Sequence, residues 1–405
     1  MILVCKIVLF YNIKKNYMKK ICIPIFSRAN YASIKALLKE IKNSKKLQLQ
    51  LIVGGTANLY RFGSLSNLMK KEGFKINQEI NFQIEGDEPS IMVKITGLAM
   101  LELSTIFKNL KPDIVLTIGD RYETMATAIS ASYMNIPLAH TMGGEITGTI
   151  DESIRHAITK LAHIHFPSSK QAQKNIISLG ENKNNVFLTG CPRIDTVRNI
   201  LSDKINLQKK TFEIGVGHSF DINSNFLISI LHPVTTEYER SQYHAEQFFL
   251  AINSIKMNKI VLWPNSDSGS EAISSVIRDF REKKLLNDCW FVKNYPDEVF
   301  YHLMKKSVCM VGNSSALIRE GSFIGVPGVN VGTRQLGREK GKNVIDARYD
   351  KKDIIEKIIL QLNKFNFGKK RVFKDFTYGD GFASKKIVRT LENKKVNTQK
   401  RLSFR

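Results

Sequence analysis

Residues 113–140 read DIVLTIGDRYETMATAISASYMNIPLAH. IVLTI is a short run, apolar but for Thr117, as expected of a strand buried on both faces. The run ends near a carboxylate, Asp120. ETMATAISASYM follows with small residues at helical spacing, and IPLAH is a second strand ending at His140. Strand, helix and strand in direct succession make a βαβ unit, and that unit predicts a parallel α/β sheet.

The pattern continues in both directions. Upstream, ICIPIF (21–26) precedes the helical YASIKALLKEIK, LQLQLIVGG (47–55) is a strand running into glycines, and residues 89–109 have helical spacing. Downstream, SIRHAITKLA is a helix, HIHFPSS a strand, and NVFLTGCP (185–192) a strand entering a turn. Residues 204–224 are polar, lack a strong period and read as a linker. A second α/β set then begins with FLISILHP (226–233), KIVLWPNSD (259–267), CWFVKNYPD (289–297), SVCMVGNSS (307–315) and VPGVNVGTR (326–334). The expected organisation is a first domain over 18–203, the linker 204–224, and a second domain over 225–379. In open parallel sheets ligands bind beyond the carboxyl ends of the strands. Asp120, His140, His232, Asn265 and Asn313-Ser314-Ser315 all fall at such ends.

The 405-residue chain is long enough for two cores, and its 43% hydrophobic content is ordinary for a globular protein. Five scattered cysteines form no ligand or redox spacing and suit a reducing, cytoplasmic setting. The net charge of +24 suits an anionic partner. Its lysines run along the whole chain with no basic stripe, which argues against nucleic acid. At the start, the apolar run precedes the lysines, the wrong order for a secretory signal. Met18-Lys19-Lys20 reads as a more natural beginning, leaving 1–17 as an extension of uncertain standing. No later run approaches transmembrane length, so no membrane partner is expected.

GNSSALIRE (312–320) is a strand–turn–helix junction. Asn313, Ser314 or Ser315 can cap the helix, and its exposed amides and dipole make an anion site. Glu320 lies about one turn further on, where a carboxylate can accept ribose hydroxyls. Arg334, after another strand and glycine, can clamp a diphosphate. Arg28 holds a similar place in the first domain. No Walker lysine and no GxGxxG are present, which disfavours NAD hydride chemistry.

HTMGGEITGTIDESIRH (140–156) gathers Glu145, Asp151, Glu152, Arg155 and His156 after two glycines. Asp151 with Arg155 and Glu152 with His156 have the i,i+4 spacing of helix ion pairs. Clustered carboxylates beside an arginine are also what general acid/base work requires. His163 and His165 alternate in HIHFP, but no third ligand has matching spacing, so no metal is expected.

Together, FSRANY (26–31), TIGDRYETMATAISASYMNIPLAH (117–140), GGEITGTIDESIRHAITKLAHIHF (143–166), LHPVTTE (231–237), PNSDSGS (264–270), GNSSALIRE and GTRQLGRE (332–339) resemble, in family order, the hydrolysing UDP-N-acetylglucosamine 2-epimerases of sialic acid biosynthesis. The resemblance implies a GT-B-like fold: two Rossmann-like domains facing across a cleft, with the final helix (380–398) crossing back to the first. It implies a cofactor-free reaction on a nucleotide sugar. The C2 proton is removed, the nucleoside diphosphate leaves C1, and water adds to the glycal with inverted C2 configuration. By likeness, Asp120, Glu145 and Asp151 are the acid/base candidates. Arg155 and His232 hold the diphosphate or assist its departure, Glu320 holds the ribose, and Arg28, Asn265, Asn313, Ser314, Ser315 and Arg334 bind substrate. Tyr295 is expected to stack on the base. A homodimer or homotetramer is implied.

Two departures fall on the sugar side. Met142 stands where the family commonly has a second histidine (HIHGGE), and the loop after Glu145 is shorter by about one residue. Relatives act on a diacetamido-trideoxy sugar, UDP- or GDP-linked, feeding legionaminic acid. A non-hydrolysing epimerase and a GT-B glycosyltransferase are the competing enzyme readings; DESIRHAITKL favours the hydrolysing branch.

Overall fold

The structure is a computed structural model and describes residues 17–59, 64–85, 89–148, 150–265, 269–368, 374–401 and 403. Apart from Tyr17, the expected extension 1–17 lies outside them, as does the middle of PNSDSGS.

The first sheet contains β1 (Lys19–Ile25), β2 (Leu47–Val53), β3 (Gln78–Glu79), β4 (Ile114–Ile118), β5 (Leu138–Thr141) and β6 (Ile164–Phe166). Its order is β3-β2-β1-β4-β5-β6, and every pairing is parallel. The second contains β7 (Val216–Gly217), β8 (Phe226–Ile230), β9 (Asn258–Leu262), β10 (Cys289–Val292), β11 (Cys309–Gly312), β12 (Gly328–Val331) and β13 (Val344–Ala347). Its order is β13-β12-β11-β8-β9-β10-β7, parallel throughout except for β7 on β10. Each sheet reverses its strand order once, between β1 and β4 and between β8 and β11. These are Rossmann-like switch points, where a crevice opens beyond the strand ends.

IVLTI and FLISI are buried at every position, as central strands covered by helices on both faces must be. One apolar cluster spans both domains, from β1 through Ile194 and Val197 to Phe226, Tyr301 and Leu303. The final helix, Ala383–Asn393, packs on Arg28–Asn43 and Pro192–Ile200 of the first domain. Asp195 caps it, accepting from the amides of Ala383 at 2.9 Å and Ser384 at 2.7 Å.

Three sequence expectations change. NVFLTGCP forms no ladder strand: a single parallel bridge joins Val186 to His165, because β6 spans only Ile164–Phe166 and offers little edge. The polar segment 204–224 carries a helix, Leu207–Phe212, and the edge strand β7; both are too short to impose a period. Ser90–Leu110 is, by length and composition, long and apolar enough to cross a membrane. Its Ile95, Ala99, Leu103, Ile106 and Phe107 pack in the first-domain core, and interspersed Gly, Ser and Thr disguise the run in the sequence.

Candidate active site

A cleft of about 660 Å³ opens between the sheets, within the range of small-molecule sites. Asp120, Asp151, Arg155, Asn265, Ser314, Ser315, Glu320 and Arg334 line it, as expected. Glu145, His232, Asn313, Arg28 and Tyr295 are not among its lining residues.

The glycine pair explains where Glu145 goes. Gly144 has φ +77°, and a Cβ there would come within 2.3 Å of the Ala172 carbonyl. Only glycine lets the chain turn this close to helix Lys170–Ser178. The turn delivers Glu145, 4% exposed, into a cluster of guanidinium groups. Its Oε1 accepts from Ser168 Oγ, and its Oε2 accepts from Arg319 Nη2 at 2.5 Å, with Arg338 at 3.5 Å. Burial works against the charge, but Arg319, Arg338 and Arg155 overcome it and hold the carboxyl at about 2. Glu145 therefore joins the first domain to helix Ser315–Ile324 of the second.

Arg155 does not pair with Asp151 as the spacing suggested. It donates through Nε to Asp120 Oδ2 at 3.0 Å and also through Nη2, and Nη1 donates to the Glu145 carbonyl. Against the penalty of burial, Arg155 keeps the Asp120 carboxyl below its ordinary range. The turn carrying Asp120 is fixed by a residue no motif marked as positioning. His140 is fully buried, with Nε2 2.8 Å from the Gly119 carbonyl oxygen, and burial lowers its pKa to about 3. Glu152 and His156 do approach each other, at 3.7 Å.

In the second domain, Gly312 has φ +138°, and a Cβ there would lie 1.8 Å from the Ile230 carbonyl oxygen. This lets β11 end against β8. Asn313 then ties the two strand ends together: Oδ1 accepts from the His232 amide at 2.7 Å and Nδ2 donates to its carbonyl at 2.8 Å. The Asn313 carbonyl accepts from Arg334 at 3.2 Å and Gln335 at 2.9 Å. Asn313 is thus a scaffold behind the site. Ser314 caps helix Ser315–Ile324, accepting from the Ala316 amide at 3.4 Å, which aims the helix N-terminus into the cleft.

His232 Nδ1 accepts from the Asn265 amide at 3.1 Å, so the neutral ring carries its proton on Nε2. Burial first, then Arg334, brings its pKa down to about 3. It can donate a hydrogen bond but brings no positive charge at neutral pH. Glu320 is 2% exposed. Arg193 of the first domain donates to its Oε1, while Oε2 has no hydrogen-bond partner among the described residues. Tyr295 is a correction: it is 3% exposed within the core, and its hydroxyl donates to the Thr211 carbonyl at 2.9 Å. It therefore offers no face to a ligand.

Arg121, Arg193, Arg319 and Arg338 line the cleft and were missed. GNSSALIRE and GTRQLGRE contain two of them, but their role depends on the opposite domain. Six cleft guanidiniums, Arg121, Arg155, Arg193, Arg319, Arg334 and Arg338, outnumber the four carboxylates paired with them, Glu123, Asp120, Glu320 and Glu145. Burial and Arg319 lower the Arg338 pKa to about 10. Such a cluster calls for an anion. Met142 also lines the cleft, in left-handed backbone at φ 63°. His163 and His165 are occupied elsewhere: His163 Nδ1 accepts from the Leu138 amide at 3.1 Å, and His165 Nε2 lies 3.1 Å from Glu181.

Two Rossmann-like domains meeting across an anion-binding cleft define a protein of the GT-B type. The family described as UDP-N-acetylglucosamine 2-epimerase matches residues 39–392. A UDP-N-acetylglucosamine 2-epimerase of Neisseria meningitidis serogroup B is 32% identical over 95% of this chain and 98% of its own. A UDP-N,N'-diacetylbacillosamine 2-epimerase (hydrolyzing) of Legionella pneumophila is 31% identical over 94% and 97%. Among solved structures, UDP-GlcNAc 2-epimerase from Neisseria meningitidis bound to UDP-GlcNAc aligns with a TM-score of 0.77 at 18% identity, covering 92% of this chain and 99% of that one. The chain belongs to the UDP-N-acetylglucosamine 2-epimerase family. It is an enzyme, a 2-epimerase of UDP-N-acetylglucosamine or a related nucleotide sugar.

Proposed function

We propose that this chain is a hydrolysing 2-epimerase that converts UDP-N-acetylglucosamine and water to free N-acetylmannosamine and UDP. The observation carrying this reading is that two carboxylates, Asp120 and Asp151, share one cleft with an arginine cluster and a helix N-terminus. Eliminating a diphosphate needs a base and an anion site together. A carboxylate takes the C2 proton, the C2–H electrons form the C1–C2 double bond, and the C1–O electrons leave with UDP. Water then gives hydroxyl to C1, and C2 is reprotonated from the opposite face.

Ser314, Ser315, Arg334 and Arg319 receive the diphosphate, with His232 Nε2–H as a neutral donor. Glu320 Oε2 accepts from a ribose hydroxyl. Glu145 is the electrostatic anchor that keeps the arginines in place. The product feeds nonulosonic (sialic) acid synthesis, and a soluble nucleotide sugar fits a cytoplasmic enzyme.

A second substrate has its own support. Ile84, Ile91, Met92, Ile95, Met142 and Ile150 give the cleft an apolar wall, which suits the 6-methyl and extra acetamido group of a diacetamido-trideoxy sugar. A relative named GDP/UDP-N,N'-diacetylbacillosamine 2-epimerase (hydrolyzing), from Campylobacter jejuni, is 33% identical over 83% of the chain. Proton NMR in heavy water tests both. Free N-acetylmannosamine deuterated at C2, with UDP released, supports the first reading. Turnover of only the trideoxy substrate selects the second. A UDP-linked product would refute hydrolysis.

A further inference from the structure

Helix Asp151–Leu161 brings Asp151 and Arg155 to the cleft from its first two turns, and its own sequence closes its far end poorly. Ala162 follows in extended backbone, at φ −77° and ψ 148°, so no left-handed cap folds back onto the last-turn carbonyls. Those carbonyls are met from the other end of the chain. Lys400 Nζ donates to the Thr159 carbonyl at 3.2 Å and the Lys160 carbonyl at 2.6 Å, and lies 2.7 Å from Glu181 Oε2. An ammonium there also answers the negative end of the helix dipole. The segment around Lys400 is itself held down. Lys394 Nζ donates to the Asn184 carbonyl at 3.1 Å, and Val396 packs on the main apolar cluster. His163 Nε2 donates to the Thr398 carbonyl at 2.9 Å, and the Ser403 amide donates to the Gly180 carbonyl at 2.9 Å. This tail lies beyond residues 39–392, the stretch matched by the family.

We infer that the tail is a strap that sets the position of helix Asp151–Leu161, with Lys400 as its positioning residue for the proposed reaction. The inference rests on the reading of Asp120 and Asp151 as the proton-transfer carboxylates. A shift at the far end of the helix reaches both of them. Asp151 rides on the helix itself, and Asp120 is paired with Arg155 of the same helix. Thr159 Oγ1 donates to the Arg155 carbonyl at 3.0 Å and lies 3.4 Å from His140 Nδ1. His140 in turn holds the Gly119 carbonyl of the Asp120 turn. The packing leaves little room for slippage here: a Cβ on Gly143 would come within 2.8 Å of His140 Nδ1 and 3.0 Å of Thr159 Oγ1. The strap's bonds named above all go to the first domain, whereas Ser314, Ser315 and Arg334 stand on the second. Its loss should therefore disturb proton transfer and spare nucleotide binding.

Lys400→Met in the full chain is expected to lower kcat about 10–100-fold, the scale of a small misplacement of catalytic groups. KM and the Kd of UDP should stay within about twofold of wild type. Hydrogen exchange read by mass spectrometry should quicken in residues 151–161 and stay unchanged in 315–324. Lys400→Cys should share the defect. Alkylation with 2-bromoethylamine, which rebuilds an ammonium at lysine's length, should return kcat toward the wild-type value. Cys22, Cys191, Cys289 and Cys309 are buried, and wild type treated in the same way is the control. Exchange needs no turnover, so a wild type inactive on every nucleotide sugar but showing this exchange response would refute the proposed function and support the strap. Unchanged exchange in 151–161, a loss carried by KM instead of kcat, or an alkylated protein no faster than Lys400→Cys would overturn the inference.

Discussion

Replacing Glu145 with glutamine separates an electrostatic anchor from a proton-transfer group. The carboxylate is 3% exposed and faces Arg319 and Arg338. Its pKa falls from 4.5 to about 2 on folding. At about 1.4 kcal/mol per pH unit, that drop corresponds to about 3 kcal/mol of stability. Removing one partner of a buried ion pair costs about 3–5 kcal/mol, a comparable figure reached independently. The sign follows from the depressed pKa. The contribution is complete above 4.5 and is lost as pH falls toward about 2. Urea unfolding at neutral pH should show Glu145→Gln less stable by about 3 kcal/mol, with the gap from wild type closing as pH is lowered through that window. UDP should still bind, since the arginines lose an internal competitor. A variant as stable as wild type whose kcat nevertheless collapses would refute this reasoning and return Glu145 to proton transfer.

Asp120→Asn and Asp151→Asn should each lower kcat by about 10²–10⁴. Deuterium uptake at C2 of substrate in heavy water should vanish in the variant lacking the first base, and a loss under tenfold in both would exclude either as that base. His232, held neutral down to about pH 3, should put no inflection into kcat/KM near pH 6.5, the ordinary histidine value. His232→Gln should keep most activity, whereas His232→Leu loses about 10²–10³ in kcat; equal losses in the two would show that the donor is not what matters. Glu320→Gln should raise the KM for substrate about tenfold with little change in kcat, as expected for a charged hydrogen bond made equally in ground and transition states. A kcat effect larger than the KM effect would place Glu320 in the chemistry.

What could be read along the chain was the placement of residues by topology. IVLTI, FLISI and CMVG announce buried parallel strands, and the residues just past a strand's carboxyl end face the crevice whatever the rest of the fold does. Asp120, Ser314, Ser315 and Asn265 were found for that reason. What could not be read was compensation across the cleft. Arg155 has Asp151 one helical turn away in sequence, yet its partner is Asp120, delivered from another strand. Arg319 adjoins Glu320 on one helix, yet each takes its counter-charge from the first domain, from Glu145 and Arg193. Local spacing predicts pairs worth a few tenths of a kcal/mol on a solvated helix, and burial between domains outweighs that preference by an order of magnitude. Tyr295 failed in the opposite sense: an aromatic beside a strand end looks like a stacking platform, but its hydroxyl finds the Thr211 carbonyl and the ring fills the core.

The same comparison accounts for the crowding of charge between Gly143 and His156 in a basic chain. Within the first domain alone, Glu145 would be a buried carboxylate with Ser168 and part of Arg155 as company. Arg319 and Arg338 are supplied by the second domain. The pair therefore bridges the two domains, and Arg193 with Glu320 is a second contact of the same kind. Both lie at the cleft that receives an anion. On the proposed binding mode, a diphosphate entering there meets the same guanidiniums that hold Glu145 and Glu320, so binding and the contact between the domains draw on one set of interactions. The glycines before Glu145 belong to that arrangement, because a side chain at Gly144 would hold the turn off helix Lys170–Ser178 and keep the carboxylate from reaching across.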